Sequence, residues 1–153
     1  LSLCIAGAGD LSAYGAHLQQ VRNCTVINDY VPSAELVALL RRAKIVVCPY
    51  TDATQSGVVM TAFAFNKPVI ASDVGGFAEV IHDGKTGMLF RAGDASELQE
   101  KISSLLDDEP LRREMAKNIV AFGKAPDFNW DGIARKYARL YQGFPADENP
   151  ACH

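Results

Sequence analysis

The sequence has no apolar run near the ~20 residues that a membrane-spanning helix requires, and its 153 residues carry little charge of one sign. Fifteen Lys and Arg against eighteen Asp and Glu leave a formal charge of −3. So mild an acidity excludes a polybasic nucleic-acid surface, and the densest basic clusters, Arg41-Arg42-Lys44 and Arg135-Lys136-Arg139, fall inside helical patterns. Cysteine is sparse. Cys4, Cys24, Cys48 and Cys152 show no C-x-x-C spacing, which argues against zinc and thioredoxin-like sites. Cys4 and Cys48 lie in apolar, strand-like runs, where a free thiol is expected to act as a small core residue in a reducing, cytoplasmic setting. The opening residues, Leu1 to Ala6, have neither the basic flank nor the length of a signal peptide. No Ser/His/Asp order, Cys/His pair or metal-ligand cluster emerges, so no metal or cofactor is expected.

What is present is a chain of ordinary globular composition, 48% hydrophobic, 22% charged and 8% aromatic. Its length suits one domain with a sizeable core. Leu1–Gly7 reads as a strand ending in glycines, followed by helix-compatible spacing over Asp10–Val21. Cys24–Asn28 is short and β-branched. Ser33–Arg42 reads as a helix that Ser33 can cap, with Leu36, Val37, Leu39 and Leu40 on one face. Lys44–Cys48 is an apolar strand closed by Pro49. A helix over Gly57–Phe65, a buried strand over Pro68–Ser72 and a short strand over Met88–Phe90 follow. This alternation predicts an α/β fold, a Rossmann-like parallel sheet with helices on both faces.

Three amphipathic stripes occupy the second half. Leu98, Ile102, Leu105 and Leu106 mark a helix begun near Asp94. Leu111, Met115, Ile119 and Phe122 continue after a stop at Asp107-Asp108-Glu109-Pro110. Trp130, Ile133, Ala134, Tyr137 and Tyr141 form the third. The tail from Gly143 has no period and is expected to fray. No internal repeat or interdomain linker is evident.

In open α/β sheets, ligands bind at the carboxyl ends of the strands. Three loops there can carry chemistry. Gly7-Ala8-Gly9-Asp10 lacks the third glycine of a dinucleotide fingerprint and reads as a strand-to-helix turn. The segment from Tyr50 to Val59 joins a buried strand to a helix start. There it either offers first-turn N–H groups and the helix dipole to a phosphate, or is merely capped by Thr54 or Ser56. Ser72-Asp73-Val74-Gly75-Gly76 permits close backbone approach, or is a tight turn with Glu79 in the first turn of a short helix. His82, in the polar turn His82–Gly87, reads as a solvated or capping side chain, as do His17 and His153.

The run Pro68-Val69-Ile70-Ala71-Ser72-Asp73-Val74-Gly75-Gly76-Phe77-Ala78-Glu79, with His82-Asp83-Gly84-Lys85-Thr86-Gly87-Met88-Leu89-Phe90, resembles the C-terminal, nucleotide-sugar-binding half of family 4 (group 1) glycosyltransferases of GT-B architecture. The resemblance covers residues 1–142, taken as the donor-binding domain, with 143–153 as a disordered tail. It also takes in Ile5–Asp10, Val31-Pro32, Ala43–Pro49 and a closing helix from Phe128-Asn129-Trp130 through Tyr137 and Tyr141.

The resemblance implies that Asp52 to Val58 is the diphosphate loop. Thr54 and Gln55 belong to it, and the amides of Ser56, Gly57 and Val58 face the donor phosphates. It places Tyr30 and Val31 where the family holds the nucleobase and lines the cleft with Gly7 and Gly9. The two glutamates usual in the family fall at Ala53 and Thr61. Asp52 is the nearby substitute for the first; Thr61 offers the ribose a hydroxyl without the charge-assisted bond of a carboxylate. The family's preceding strand, its cationic segment and its acceptor domain have no counterpart among these residues, and Lys85 and Arg91 are the nearest cations in sequence.

The implied function is the donor half of a retaining, metal-independent glycosyltransferase acting on a polysaccharide or lipid-linked acceptor, inactive by itself. The full enzyme is expected to associate peripherally with membranes, and the fragment to self-associate through uncovered apolar faces. The alternative is a non-catalytic nucleotide-binding or protein-interaction module.

Overall fold

A computed structural model describes residues 2–12, 14–52, 57–125 and 130–143. The chain divides into two compact units, Leu1–Arg42 and Ala43–His153. As expected for an α/β fold, the strands pair in parallel: among the described residues, two pair in the first unit and three in the second.

The first unit holds β1 (Leu3–Ala6), α1 (Gly15–Gln20), β2 (Cys24–Ile27) and α2 (Ser33–Arg42). β1 and β2 pair in register from Leu3 with Cys24 to Ala6 with Ile27. The expected helix over Asp10–Val21 shortens to α1 because Asp10 diverts the chain: its carboxylate accepts the Ser12 N–H at 2.9 Å. Such a local turn competes with helix formation. That hydrogen bonding also holds the Asp10 carboxyl below its ordinary value. Ser33 is not the cap of α2. The Leu36 N–H donates to the Pro32 carbonyl, so the helix opens one residue earlier and Ser33 sits in its first turn. Cys4 is exposed, contrary to its expected core role, because β1 belongs to a sheet of only two strands and is mostly exposed along its length.

The second unit holds β3 (Val46–Cys48), α3 (Gly57–Ala64), β4 (Val69–Ser72), α4 (Phe77–Val80), β5 (Gly87–Phe90), α5 (Ala95–Asp107), α6 (Glu109–Lys124) and α7 (Trp130–Gly143). Their sheet order is β3-β4-β5, all parallel. Every residue of β4 is buried, as its unbroken apolar run requires in a central strand. Ile70 clusters with Phe90, Leu105 and Met115, and Ile45, Met88, Leu98, Ile102 and Leu111 pack around them. Two of the sequence stripes thus meet on β4 and β5.

Connections are equally specific. After α3, Asn66 takes a left-handed φ of 55° and the Lys67 N–H returns to the Ala62 carbonyl, a Schellman-type end that delivers Pro68 to β4. Asp94 caps α5 by accepting the Glu97 N–H at 2.9 Å. The expected four-residue stop between α5 and α6 is one residue, Asp108. Its N–H closes α5 on the Ser104 carbonyl and its carboxylate opens α6 by accepting the Leu111 N–H. Pro110 lies within the first turn of α6, where its missing N–H costs nothing. Gly87 begins β5 because a Cβ there would lie 2.2 Å from the Val69 carbonyl oxygen.

Candidate functional site at the carboxyl ends of the strands

Parallel pairing sends the loops after β3, β4 and β5 to one end of the three-stranded sheet. Asp52, Asp73 and Arg91 therefore share that end, as does Gly57, the first residue of α3. Asp52 and Gly57 are both exposed. Ala53, Thr54, Gln55 and Ser56, the middle of the expected diphosphate loop, lie outside the described residues. Val58 is exposed on the first turn of α3. Thr61 is half-buried and its hydroxyl donates to the Gly57 carbonyl at 2.6 Å. Its proton is thus held by its own helix, and the oxygen's remaining capacity is as an acceptor.

The loop after β4 is a tight turn, with Gly75 at φ 55° and Gly76 capping α4; Glu79 occupies that helix's first turn. Asp73 ties this loop to the next. Its N–H donates to the Phe90 carbonyl at 2.8 Å, and its carboxylate accepts the Ala92 N–H at 2.9 Å. Glu97 accepts the Arg91 N–H at 2.8 Å. Asp73, Leu89, Phe90, Arg91 and Glu97 line an open cleft of about 190 Å³.

The two cations singled out in sequence separate here. Arg91 follows β5 and lies at the site's end of the sheet, whereas Lys85 precedes β5 and lies at the opposite end. Lys85 is therefore excluded as a partner of the loop after β3. His82 belongs to that opposite end too. Its exposed ring, read from the sequence as solvated or capping, meets Phe122 edge-on at 5.5 Å, and its main-chain N–H donates to the Thr86 hydroxyl at 2.9 Å.

In the Leu1–Arg42 unit, Gly7 and Gly9 follow β1 and Tyr30 and Val31 follow β2, again at carboxyl ends. Gly7 has a φ of 143° and donates its N–H to the Ile27 carbonyl at 3.0 Å. The Gly9 N–H donates to the Asn28 side chain at 2.9 Å, which joins the two loops. Tyr30 is 77% exposed. Its N–H donates to Asp29 at 2.7 Å, so any further main-chain contact falls to its carbonyl. Sequence reasoning missed Asn28; its only signal was a polar residue closing a β-branched strand.

Among the described residues, no three His, Cys, Asp or Glu side chains come together as a metal site, and no helix is long and apolar enough to cross a membrane. Cys48 is buried, and burial pushes its thiol up to about 11.

Comparison with known proteins gives these loops a context. The chain is 34% identical over 122 residues to a D-inositol 3-phosphate glycosyltransferase of Corynebacterium aurimucosum, covering 80% of this chain and 28% of that protein. It is 30% identical over 148 residues to a phosphatidyl-myo-inositol mannosyltransferase of Mycobacterium leprae, covering 93% of this chain and 38% of the relative. The chain thus spans well under half of these relatives. Among solved structures, Anabaena HepE in complex with UDP superposes with a TM-score of 0.75 at 19% identity, over 94% of this chain and 41% of that one. The parallel strands and flanking helices are those of GT-B glycosyltransferases. A family profile described as "Glycosyl transferases group 1" matches residues 1–108, and with that match the chain belongs to the group 1 glycosyltransferases.

Proposed function

We propose that the chain is the nucleotide-sugar-binding half of a retaining, metal-independent glycosyltransferase whose acceptor is a polysaccharide or a lipid-linked molecule. The observation that carries this reading is the β3–loop–α3 unit, which sets Asp52 and the start of α3 at the carboxyl end of a parallel sheet in a group 1 chain. Support comes from Anabaena HepE, whose structures hold UDP and UDP-glucose.

In such a transfer, the bond between the sugar's anomeric carbon and the diphosphate oxygen breaks as a bond forms to the oxygen of an acceptor hydroxyl, whose proton goes to the departing diphosphate. Negative charge collects on the departing diphosphate. The N-terminal end of α3 carries the positive end of a helix dipole, and Arg91 supplies a cation at the same end of the sheet. Thr54, Gln55, Ser56, Gly57 and Val58 are proposed to face the phosphates, with Asp52 standing for the family's first glutamate and Thr61 accepting a bond from the ribose. In the Leu1–Arg42 unit, the proposed roles are main-chain contacts with the nucleobase by Tyr30 and Val31, beside Gly7 and Gly9. No cofactor is invoked.

Titration of the isotope-labelled chain with UDP, GDP and ADP, read by NMR, tests this. The expected result is a saturable shift of the Gly57 and Val58 amides with one nucleotide, without sugar transfer by the chain alone. No shift with any of the three sinks the donor-binding reading.

A second reading, a non-catalytic nucleotide-binding or interaction module, draws on the Thr61 hydroxyl being held by the Gly57 carbonyl. Transfer by the chain joined to an acceptor domain of a group 1 enzyme separates the two. The full enzyme is proposed to work in the cytoplasm, with peripheral membrane contact. The fragment is proposed to self-associate through exposed apolar side chains such as Tyr137, Leu140 and Tyr141 of α7.

A further inference from the structure

The main chain entering the proposed diphosphate loop is anchored from the neighbouring strand. The β3–β4 ladder ends where Cys48 faces Ala71. One residue further along β4, Ser72 is 1% exposed and continues the attachment with its side chain. Its hydroxyl donates to the Tyr50 carbonyl at 2.5 Å, with the Cys48 carbonyl at 3.5 Å. A second hold acts on the same residue. The Tyr50 ring lies 5.6 Å from that of Phe77, tilted by 32°, and Phe77 is the buried first residue of α4. Tyr50 is therefore gripped at its carbonyl and at its ring, both times by the segment that runs from the end of β4 into α4. Thr51 and Asp52 follow immediately and are exposed.

Chemistry explains why a serine stands here. Val69, Ile70 and Ala71 fill the rest of the strand with apolar groups, and only a hydroxyl at its end can meet a carbonyl beyond the ladder's reach. An alanine would leave the Tyr50 carbonyl without this donor. The loop would then lose the fixed point from which it reaches the start of α3.

We propose that Ser72 is a positioning residue for the diphosphate loop: its hydroxyl, with the Phe77 ring behind Tyr50, sets the main chain from which Asp52 and the α3 N-terminus meet a nucleoside diphosphate. The proposal rests on the donor-binding reading above and adds a residue that touches no ligand.

Hydrogen exchange and a UDP titration of Ser72→Ala test it, with Ile81→Val as a buried control remote from the loop in sequence. In Ser72→Ala, the amides of residues 51, 52 and 57 should exchange faster, and UDP affinity should fall roughly three- to tenfold, the worth of one buried hydrogen bond. Ile81→Val should lower the melting temperature and leave both readings as in the wild type. Ser72→Cys keeps the side-chain shape with a somewhat larger atom and a weaker donor. It should show the same two changes, and serves if Ser72→Ala does not fold. Unchanged exchange at residues 51, 52 and 57 in the folded variant overturns the assignment whether or not UDP binds. Loosened exchange with unaltered UDP affinity overturns its functional part. A wild-type chain that binds no nucleotide, yet shows the exchange effect in Ser72→Ala, defeats the donor-binding reading while leaving the anchoring of the loop in place.

Discussion

Single atoms decide several features of this chain, and the sharpest case is a missing methyl group. Gly87 admits the Val69 carbonyl to a place where a Cβ would stand 2.2 Å away, with the Ile81 side chain 3.1 Å from the same point. Neither β4 nor β5 can retreat without disturbing the Ile70 cluster. Gly87→Ala should therefore destabilise the fold by about 1–3 kcal/mol or more, read as a lower denaturant midpoint. Cys48 offers a test of the opposite kind, in pH. Burial raises its folded value from 9.0 to about 11, so the unfolded thiol ionises first. Stability from this group is complete below pH 9 and is lost as the pH rises through about 11. Wild-type protein should weaken more steeply than Cys48→Ala over that window in denaturant titrations. At neutral pH a maleimide should label exposed Cys4 quickly and leave Cys48 untouched until the chain unfolds. Cys4 and Cys48 looked alike in sequence, since both occupy apolar runs. Helix cover separates them, since α3 packs against β3, and that is a tertiary property.

At the level of elements, the α5–α6 joint concentrates the most chemistry in the fewest residues. Asp108 ends one helix and starts the next, while the Arg112 guanidinium donates to the Leu105 and Leu106 carbonyls at the end of α5. Asp108→Ala should cost about 1 kcal/mol as a lost N-cap. Arg112→Ala should cost a comparable amount by leaving helix-terminal carbonyls without their charged donor. Chemical denaturation of each variant and of the pair measures this, and the pair should be non-additive because the two side chains serve one corner. The helices themselves were legible in sequence: the stripes of α5, α6 and α7 reflect the 3.6-residue period that burial imposes. Their joints were less so. Asp108 alone does the work that three acidic residues and a proline suggested, and Asp10 cuts α1 short through one bond to the Ser12 N–H.

For the molecule as a whole, the uneven burial is the consequential feature. The largest fully buried side chains all belong to the Ala43–His153 unit, whereas Leu3, Val21 and Val26 of the other unit are exposed. Parallel strands are ordinarily covered on both faces, so the Leu1–Arg42 unit should open first. Native-state hydrogen exchange should show β1 and β2 amides exchanging well ahead of those in β4. With Tyr137, Leu140 and Tyr141 also uncovered on α7, the proposed self-association should appear as a concentration-dependent rise in sedimentation coefficient; one species at all concentrations contradicts it.

The sequence alone determined the order of strands and helices, the apolar stripes and the family, because these depend on local periodicity and on motifs contiguous along the chain. It also pointed to the loop from Asp52 to Val58. Tertiary structure decided which residues share an end of the sheet. Arg91 and Lys85 are six positions apart and looked equivalent, yet they flank a parallel strand and so stand at its opposite ends. The bonds from Ser72 to Tyr50 and from Gly9 to Asn28 likewise join residues far apart in the chain. No periodicity encodes such pairings, since they exist only once the strands lie side by side.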